Sequence, residues 1–307
     1  MKKYEHPTDK TTVTAPATPS PAPPSPARER ALRVLAELPP FSPILNRLIA
    51  SLAKEDVSFA KISELIEKDT VLAGNILKLV NSALYGFSGT INSVRHAVSL
   101  LGVNKLRNAT LSMSVARMWK QVKTPPGWSM GSFNLHSAGV AILADLLAQK
   151  VDANYPEGAF AAGLFHDLGW LLVAMGCPDE FKQISLLCRP DQKWAAEYEL
   201  EVLGVSHADL SAEALAAWNL PEPIRDAVRY HQTPAEDPAA SDPDLVPLSR
   251  ILNVADAFVQ GMGTNVSVFE NSGNGAQNLP DELRLGDQLS AVLAEFDNEF
   301  EAIKPYF

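Results

Sequence analysis

Apolar residues recur three and four positions apart along almost the whole chain from about residue 30, and no stretch keeps a two-residue alternation. This period places apolar side chains on one face of a helix. Short turns between such segments imply that neighbouring helices pack side by side. We therefore predict an all-α protein built as a multi-helix bundle.

Gly102 separates a predicted helix over residues 94–101 from another that starts near Asn104. This arrangement also fits a DNA-binding helix-turn-helix, with Lys105 and Arg107 offered to phosphate. Helical hairpins are commonplace packing units, however, and two basic residues in an acidic chain are a weak electrostatic footprint. We expect a packed hairpin and no nucleic-acid partner.

Proline-rich segments divide the chain into three parts. Residues 1–29 are rich in Pro, Thr, Ala and Ser and cannot bury enough apolar surface to offset the entropy of ordering, so we predict a disordered tail. The Pro-Pro-Gly run at 125–127 marks a break between a first helical block, 30–124, and a second, 125–307, which ends in a helix.

Composition points to a cytoplasmic protein that does not associate with membranes. The formal net charge of -10 makes the average surface repel nucleic acid and anionic membranes. Cys177 and Cys188 give no disulfide framework and suit a reducing compartment, and the first residues lack the apolar stretch of a signal peptide. The apolar segment 159–176 carries His166 and Asp167 at its centre, which favours a buried helix over a membrane span.

The second block contains histidines and acids whose spacing suits ligands from different helices of a bundle. Apart from one adjacent pair, successive members lie roughly 25 to 40 residues apart. Imidazole and carboxylate groups bind Mn, Fe, Ni, Zn and similar divalent ions. We predict a site for one or two such ions, formed by His136, His166, Asp167, His207, His231 and Asp256.

Asp256 is the clearest chemical signal in this set, because it shares an otherwise apolar helical stripe with Leu252 and Val259. A buried carboxylate needs a cation, a histidine or several donors, since desolvation without a partner costs several kcal/mol. The same reasoning applies to His166 and Asp167 in their apolar segment. The alternative is that these residues are core groups satisfied by one another and by helix N-termini.

The run Phe165-His166-Asp167-Leu168-Gly169 resembles the His-Asp signature of the HD superfamily of metal-dependent phosphohydrolases. The resemblance extends to the order His136, His166-Asp167, Asp256. It implies that these residues ligate a divalent metal that activates a water molecule for attack on phosphorus. His207 and His231 resemble the additional ligands of two-metal members such as the HD-GYP cyclic-di-GMP phosphodiesterases.

Motifs in the first block are more specific. Leu-Pro-Pro at 38–40, Leu-Lys-Leu-Val-Asn-Ser-Ala at 77–83, the Tyr-Gly pair at 85–86 and Trp-Asn-Leu-Pro at 218–221 are similar to those of HDOD modules, with the likeness covering roughly residues 30 to 260. HDOD modules are generally regarded as regulatory relatives of the HD hydrolases. The resemblance implies a bacterial signal-transduction module that acts through signalling protein partners, with a small nucleotide as a further candidate ligand.

Departures from the hydrolase pattern favour a non-catalytic role. Trp170 stands where active HD-GYP enzymes typically carry Lys, Tyr230 precedes His231 where those enzymes have paired histidines, and no Gly-Tyr-Pro motif follows. We therefore expect a regulatory module with an HD-type pocket that retains metal. The alternative is a metal-dependent phosphohydrolase acting on a cyclic dinucleotide or nucleotide.

Overall fold

The computed structural model describes residues 25–52, 59–87, 89–191, 195–263 and 283–307, and in this part of the chain the regular elements are helical. An isolated parallel bridge joins Ala153 to Val246. The all-α prediction is confirmed. The α-helices are α1 Pro26–Arg33, α2 Pro43–Leu52, α3 Phe59–Glu67, α4 Thr70–Val80, α5 Val94–Leu101, α6 Val103–Trp119, α7 Met130–Ala148, α8 Ala159–Phe165, α9 Leu168–Gly176, α10 Pro178–Asp191, α11 Ala195–Val202, α12 His207–Ala217, α13 Glu222–Arg229, α14 Leu248–Gly261 and α15 Leu289–Ile303.

The disordered tail predicted for residues 1–29 is wrong at its C-terminal end, because α1 begins at Pro26. Ser25 caps this helix: its Oγ accepts a hydrogen bond from the backbone N–H of Arg28 at 3.0 Å. Proline suits the first helical position, where its missing N–H costs nothing. Residues 1–24 lie outside the described part of the chain.

Helix α1 packs against the second block, on α9 and α12, although it lies across the predicted start of the first block at residue 30. The contact with α9 is close at Gly176, where an added Cβ would lie 2.7 Å from the carbonyl oxygen of Arg30 and 2.9 Å from the Cα of Ala31. Helix α1 is therefore held by elements of the second block.

The first block is a helical cluster in which α3, α4, α5 and α6 contact one another. Asn81 ties the end of α4 to the segment before α5: its amide donates to the carbonyl oxygens of Leu77 and Ile91 at 2.7 and 2.8 Å, and its Oδ1 accepts from the Ile91 N–H at 2.8 Å. These bonds satisfy the backbone N–H and C=O of Ile91, which lies in the loop before α5.

The two basic residues that suggested DNA binding are engaged within the fold. Lys105 pairs with Glu295 and Glu299 of α15, with N···O distances of 2.6 Å to each. Arg107 is buried, with 9 % of its surface exposed. Lys105 is ion-paired and Arg107 is buried, so neither side chain is available to contact a phosphate. The pair of helices α5 and α6 is a packed hairpin within the fold.

The second block is organised around α7, which contacts α8, α14 and α15, while α12 contacts α9 and α13. Glycines bring two of these pairs to backbone contact. A Cβ on Gly169 would lie 2.0 Å from the carbonyl oxygen of His207, and one on Gly163 would lie 2.6 Å from the Cα of Ala141. These close approaches fix α9 against the start of α12 and α8 against α7.

The apolar segment Pro156–Gly176 has the length and composition of a membrane span, but 94% of its most apolar 18-residue stretch is buried inside the fold. The structure divides it into α8 and α9, with His166 and Asp167 at the junction. It is a core segment of the helical bundle, as the central polar pair predicts.

Candidate metal centre

The structure brings all six predicted site residues into one buried cluster in the second block. Each arrives on a different element, apart from the adjacent pair His166 and Asp167. His136 lies in α7, His166 and Asp167 join α8 to α9, His207 starts α12, His231 follows the end of α13, and Asp256 lies in α14.

Asp167 lies between two groups of imidazoles and faces each with a different oxygen. Its Oδ2 is 3.4 Å from Nε2 of His136 and 3.3 Å from Nε2 of His166, whereas its Oδ1 is 3.2 Å from Nε2 of His207. A carboxylate in this position can bridge two ions, one on each side.

Asp256 closes the first group from the opposite side. Its Oδ1 lies 3.1 Å from Nε2 of His136 and 3.6 Å from Nε2 of His166. Gln260, one turn further along α14, donates its side-chain amide to Oδ1 and Oδ2 at 2.8 and 2.9 Å. The buried carboxylate has the partners that its place on an apolar stripe requires.

Two of the histidines are oriented by backbone carbonyl groups that contact their outer nitrogens. Nδ1 of His166 contacts the carbonyl oxygen of Gly163 at 2.8 Å, and Nδ1 of His231 contacts that of Val228 at 2.7 Å. A carbonyl oxygen only accepts, so Nδ1 carries the proton in both rings and the lone pair of the neutral ring is on Nε2. Such outer contacts are the usual way in which a protein fixes a metal-binding imidazole.

The inward nitrogens meet each other at short distance. His207 Nε2 lies 3.4 Å from His231 Nε2, and His136 Nε2 lies 3.3 Å from His166 Nε2. Two neutral rings that are both protonated on Nδ1 would face each other with lone pairs, which cannot form a hydrogen bond. A proton or a metal cation resolves that contact, so the donor geometry fits a metal ion.

Nearby carboxylates raise the pKa of three of the buried imidazoles, those of His136, His166 and His207, against the opposing effect of burial. Burial disfavours the charged form of His136, but its hydrogen bonds to Asp167 and Asp256 raise its pKa to about 9. His207 shows the same balance: burial opposes the charge, while Glu199 and Asp167 raise its pKa to about 10. Divalent cations would compete with these protons, so ion affinity should fall as pH is lowered.

The pKa of His231 is shifted in the opposite direction. Burial, together with the positive charge of His166 and His207, lowers its pKa to about 4. Burial opposes the charge of Asp167, but the charge of His166 and the hydrogen bonds from the imidazoles hold its pKa well below the usual range. The cluster therefore combines ionised carboxylates and one neutral imidazole, which are ligand states for a divalent metal, with three basic imidazoles that would release a proton on binding one.

The cluster is almost closed to solvent. His136 and His207 are 1 % exposed, and His166 and His231 are 0 % exposed. The carboxylate residues retain a little more access, 6 % for Asp167 and 7 % for Asp256. Trp170 covers one side, because its ring stacks on the His207 ring at a centroid distance of 5.0 Å and an angle of 19°.

Glu199 in α11 is a site residue that the sequence did not reveal. It is fully buried, and its carboxylate accepts hydrogen bonds from both the backbone N–H and the Nδ1 of His207, the latter at 2.7 Å. In the sequence it belongs to an alternating run with Glu197 and Glu201 that looks like a solvated helix face. Only the packing of α11 beside the start of α12 distinguishes it.

A family model described as HDOD domain matches residues 38–234. The match begins before α2 and ends just after α13, so it includes His136, His166, Asp167, His207 and His231, while Asp256 lies beyond it. Among curated proteins, a Treponema pallidum relative of uncharacterised role is 23% identical over 236 residues, which is 73% of this chain and 43% of the relative. The chain thus spans less than half the length of that relative.

Solved structures share the fold. An HDOD domain protein of unknown function from Geobacter sulfurreducens has a TM-score of 0.71 at 23% identity, covering 92% of this chain and 98% of its own. A provisionally named phosphohydrolase from Shewanella amazonensis has a TM-score of 0.68 at 24% identity, with coverage of 92% and 98%. A provisionally named signal-transduction protein from Marinobacter aquaeolei has a TM-score of 0.66 at 21% identity, covering 91% of this chain and 65% of that one.

Proposed function

Since the chain belongs to the HDOD domain family, we propose that it is a bacterial signal-transduction module that binds one or two divalent ions in its HD-type site without catalysing hydrolysis. The ions stabilise one packing of the helices, and that packing is recognised by a signalling partner protein. The donor set of imidazole nitrogens and carboxylate oxygens suits Fe, Mn, Ni or Zn. A cytoplasmic location is part of this proposal.

The burial of the four imidazoles carries the proposal. Hydrolysis of a phosphoester requires the phosphorus atom to approach a metal-bound water within about 3.5 Å. His136, His166, His207 and His231 are at most 1 % exposed. An ion fits among their Nε2 atoms, whereas a phosphodiester would have to displace the surrounding helices.

Trp170 supports the same conclusion. A substrate phosphate is commonly held by a cation next to the metal. At this position the chain has an indole ring that is 3 % exposed and stacked on His207. The ring orders the imidazole and excludes water, and it offers phosphate no charge.

An aromatic junction supplies a route from the site to the first block. Trp218, next to the last residue of α12, lies 4.5 Å between ring centroids from Phe41 and 6.5 Å from Trp119. It also contacts Phe165, the residue before His166, at 5.9 Å. Helix α12 begins with His207 and ends next to Trp218. The helix and the contact between Phe165 and Trp218 thus connect His207 and His166 to this junction.

The second candidate function is a metal-dependent phosphohydrolase of nucleotides or cyclic dinucleotides. The convergence of a complete six-residue donor set favours it, because a purely structural site needs fewer ligands. In such an enzyme the metal would lower the pKa of a bound water, with Asp167 positioned to contact ions on both sides. It would also require helix movements that open the site.

The test combines metal analysis with hydrolase assays on one tag-free preparation that has not been exposed to chelator or nickel resin. We expect one or two ions per chain and no turnover of cyclic dinucleotides or generic phosphoesters. A variant with both His166→Ala and Asp167→Ala should lose the ions, whereas His96→Ala, at an exposed histidine in α5, should keep them. Turnover that disappears in the double variant would establish the hydrolase, and unchanged metal content in that variant would refute the ligand assignment.

A further inference from the structure

Glu199 makes a contact that differs from those of the other oriented imidazoles. The Nδ1 atoms of His166 and His231 meet neutral carbonyl oxygens, whereas Nδ1 of His207 meets a carboxylate at 2.7 Å. The second carboxylate oxygen of Glu199 accepts the backbone N–H of His207. Both carboxylate oxygens of Glu199 thus accept hydrogen bonds from His207. Glu199 is therefore a hydrogen-bond partner of His207, and neither oxygen is available as a metal ligand.

The orientation that this contact imposes is specific. With Nδ1 bound to Glu199, the Nε2 of His207 points to Asp167 Oδ1 at 3.2 Å and to His231 Nε2 at 3.4 Å. These three ligand atoms form one of the groups whose separations are short enough to share an ion. The neighbouring group around His136 contains its own second carboxylate, Asp256.

The two groups therefore differ in charge. The group around His136 contains two carboxylates, Asp256 and Asp167, the latter through Oδ2. The group around His207 contains one, Asp167, through Oδ1. A buried divalent cation needs compensating negative charge close by. Glu199, 0 % exposed and directly behind the His207 ring, supplies that charge through the imidazole.

We propose that Glu199 is the positioning residue of a second ion subsite formed by His207, His231 and Asp167 Oδ1. The inference rests on the proposed ion-binding function and adds that the two subsites depend on different residues. It competes with a purely structural role, in which Glu199 only caps the N-terminus of α12 by accepting the His207 N–H. A cap alone would affect folding stability and would leave the affinity for ions unchanged.

The test measures Co²⁺ binding to metal-free protein by calorimetry and by visible absorption, which reports the coordination of each ion. We expect two ions in the wild type and, in Glu199→Gln, a second ion bound 10- to 100-fold more weakly with the first unchanged. Glutamine keeps the shape but removes the charge and turns one hydrogen bond into a donor–donor contact. His207→Ala should lose the second ion, and Glu201→Gln, an exposed acid on the same helix, should bind both normally.

A measurement on the wild type covers the case in which Glu199→Gln does not fold. In ¹⁵N-labelled protein, the His207 Nδ1 should carry a proton shifted downfield by its hydrogen bond, and Zn²⁺ should displace the Nε2 resonance. Zn²⁺ binding at Nδ1, or an Nδ1 that carries no proton when Zn²⁺ is bound, would overturn the role of Glu199.

The outcomes separate this inference from the proposed function. Two ions bound with equal affinity by the wild type and Glu199→Gln would overturn the role of Glu199 and leave the ion site intact. A wild type that binds no Co²⁺ would overturn both. A wild type that binds a single ion, retained in His207→Ala, would overturn the second subsite alone.

Discussion

Replacing Gly169 by alanine tests whether the approach of α9 to α12 positions His207. The added Cβ would lie 2.0 Å from the carbonyl oxygen of His207 and 2.8 Å from its Cα. These neighbours are backbone atoms, so no side-chain rotation relieves the clash. Since ordinary contact between heavy atoms begins near 3.5 Å, the two helices must separate by roughly 1 Å or more.

The loss of folding stability in Gly169→Ala follows from this displacement of the helices. Overpacking of a close contact costs about 1–3 kcal/mol. Separation of the helices also weakens the hydrogen bond from the Gly169 N–H to Ser211 Oγ, now 2.7 Å, which contributes about 1 kcal/mol. We expect a loss of about 2–4 kcal/mol in the free energy of unfolding. A shift of His207 by roughly 1 Å also exceeds the tolerance of about 0.2 Å for a metal ligand.

Urea unfolding and Co²⁺ binding measure the two effects separately. The matched control is Gly176→Ala at the other end of α9, where the Cβ would lie 2.7 Å from the carbonyl oxygen of Arg30 in α1. It should destabilise the fold and keep ion binding. If Gly169→Ala had wild-type stability and bound ions normally, the packing argument for His207 would be refuted.

Further predictions concern stability away from the ligands. Gly74→Ala in α4, where an added Cβ meets nothing within 4 Å, should stabilise the protein by about 0.5–1 kcal/mol in urea unfolding; a loss would show a contact that the structure lacks. Trp218→Ala should remove the contact with Phe41 at 4.5 Å, lower the free energy of unfolding by about 3 kcal/mol and divide unfolding into two transitions. A single transition at the wild-type urea concentration would contradict the proposed role of the aromatic junction in joining the blocks. Burial raises the pKa of Asp145 to about 6 from its ordinary 3.8, so the native state retains the proton longer than the unfolded chain. Wild-type stability relative to Asp145→Asn should therefore fall by about 3 kcal/mol as pH rises from about 3 to about 8, most of it between about pH 4 and 6, whereas a difference independent of pH would show that this carboxyl is not perturbed.

Local signals in the sequence determine much of the helical fold. Asp69 caps α4 by accepting the Leu72 N–H at 3.0 Å, and Ser93 caps α5 by accepting the His96 N–H at 3.2 Å, both as their positions before apolar-periodic runs predict. The apolar period of residues 71–84 predicts a helix that continues to Leu84, and this is wrong at the C-terminal end, because α4 ends at Val80. There the side chain of Asn81 bonds to Leu77 O, a competing local contact that periodicity does not show.

The cluster itself was foreseeable as a set of residues, since carboxylates and imidazoles on apolar helical faces must find one another. The roles of Glu199 and Trp170 were not foreseeable from local pattern, because both depend on how α9, α11 and the start of α12 pack together. The placement of α1 on the second block depends equally on a tertiary contact, at Gly176. Pattern predicts the elements, and packing decides which side chains meet.

The most direct test of the ion site is an anomalous-difference map from crystals grown with Mn²⁺ or Zn²⁺ and measured on both sides of the metal edge. The account predicts a peak about 2.0–2.2 Å from the Nε2 atoms of His136 and His166, and a second such peak beside His207 and His231. A map with no peak in this cluster, in crystals where the imidazoles bond only to Asp167, Asp256 and one another, would contradict it.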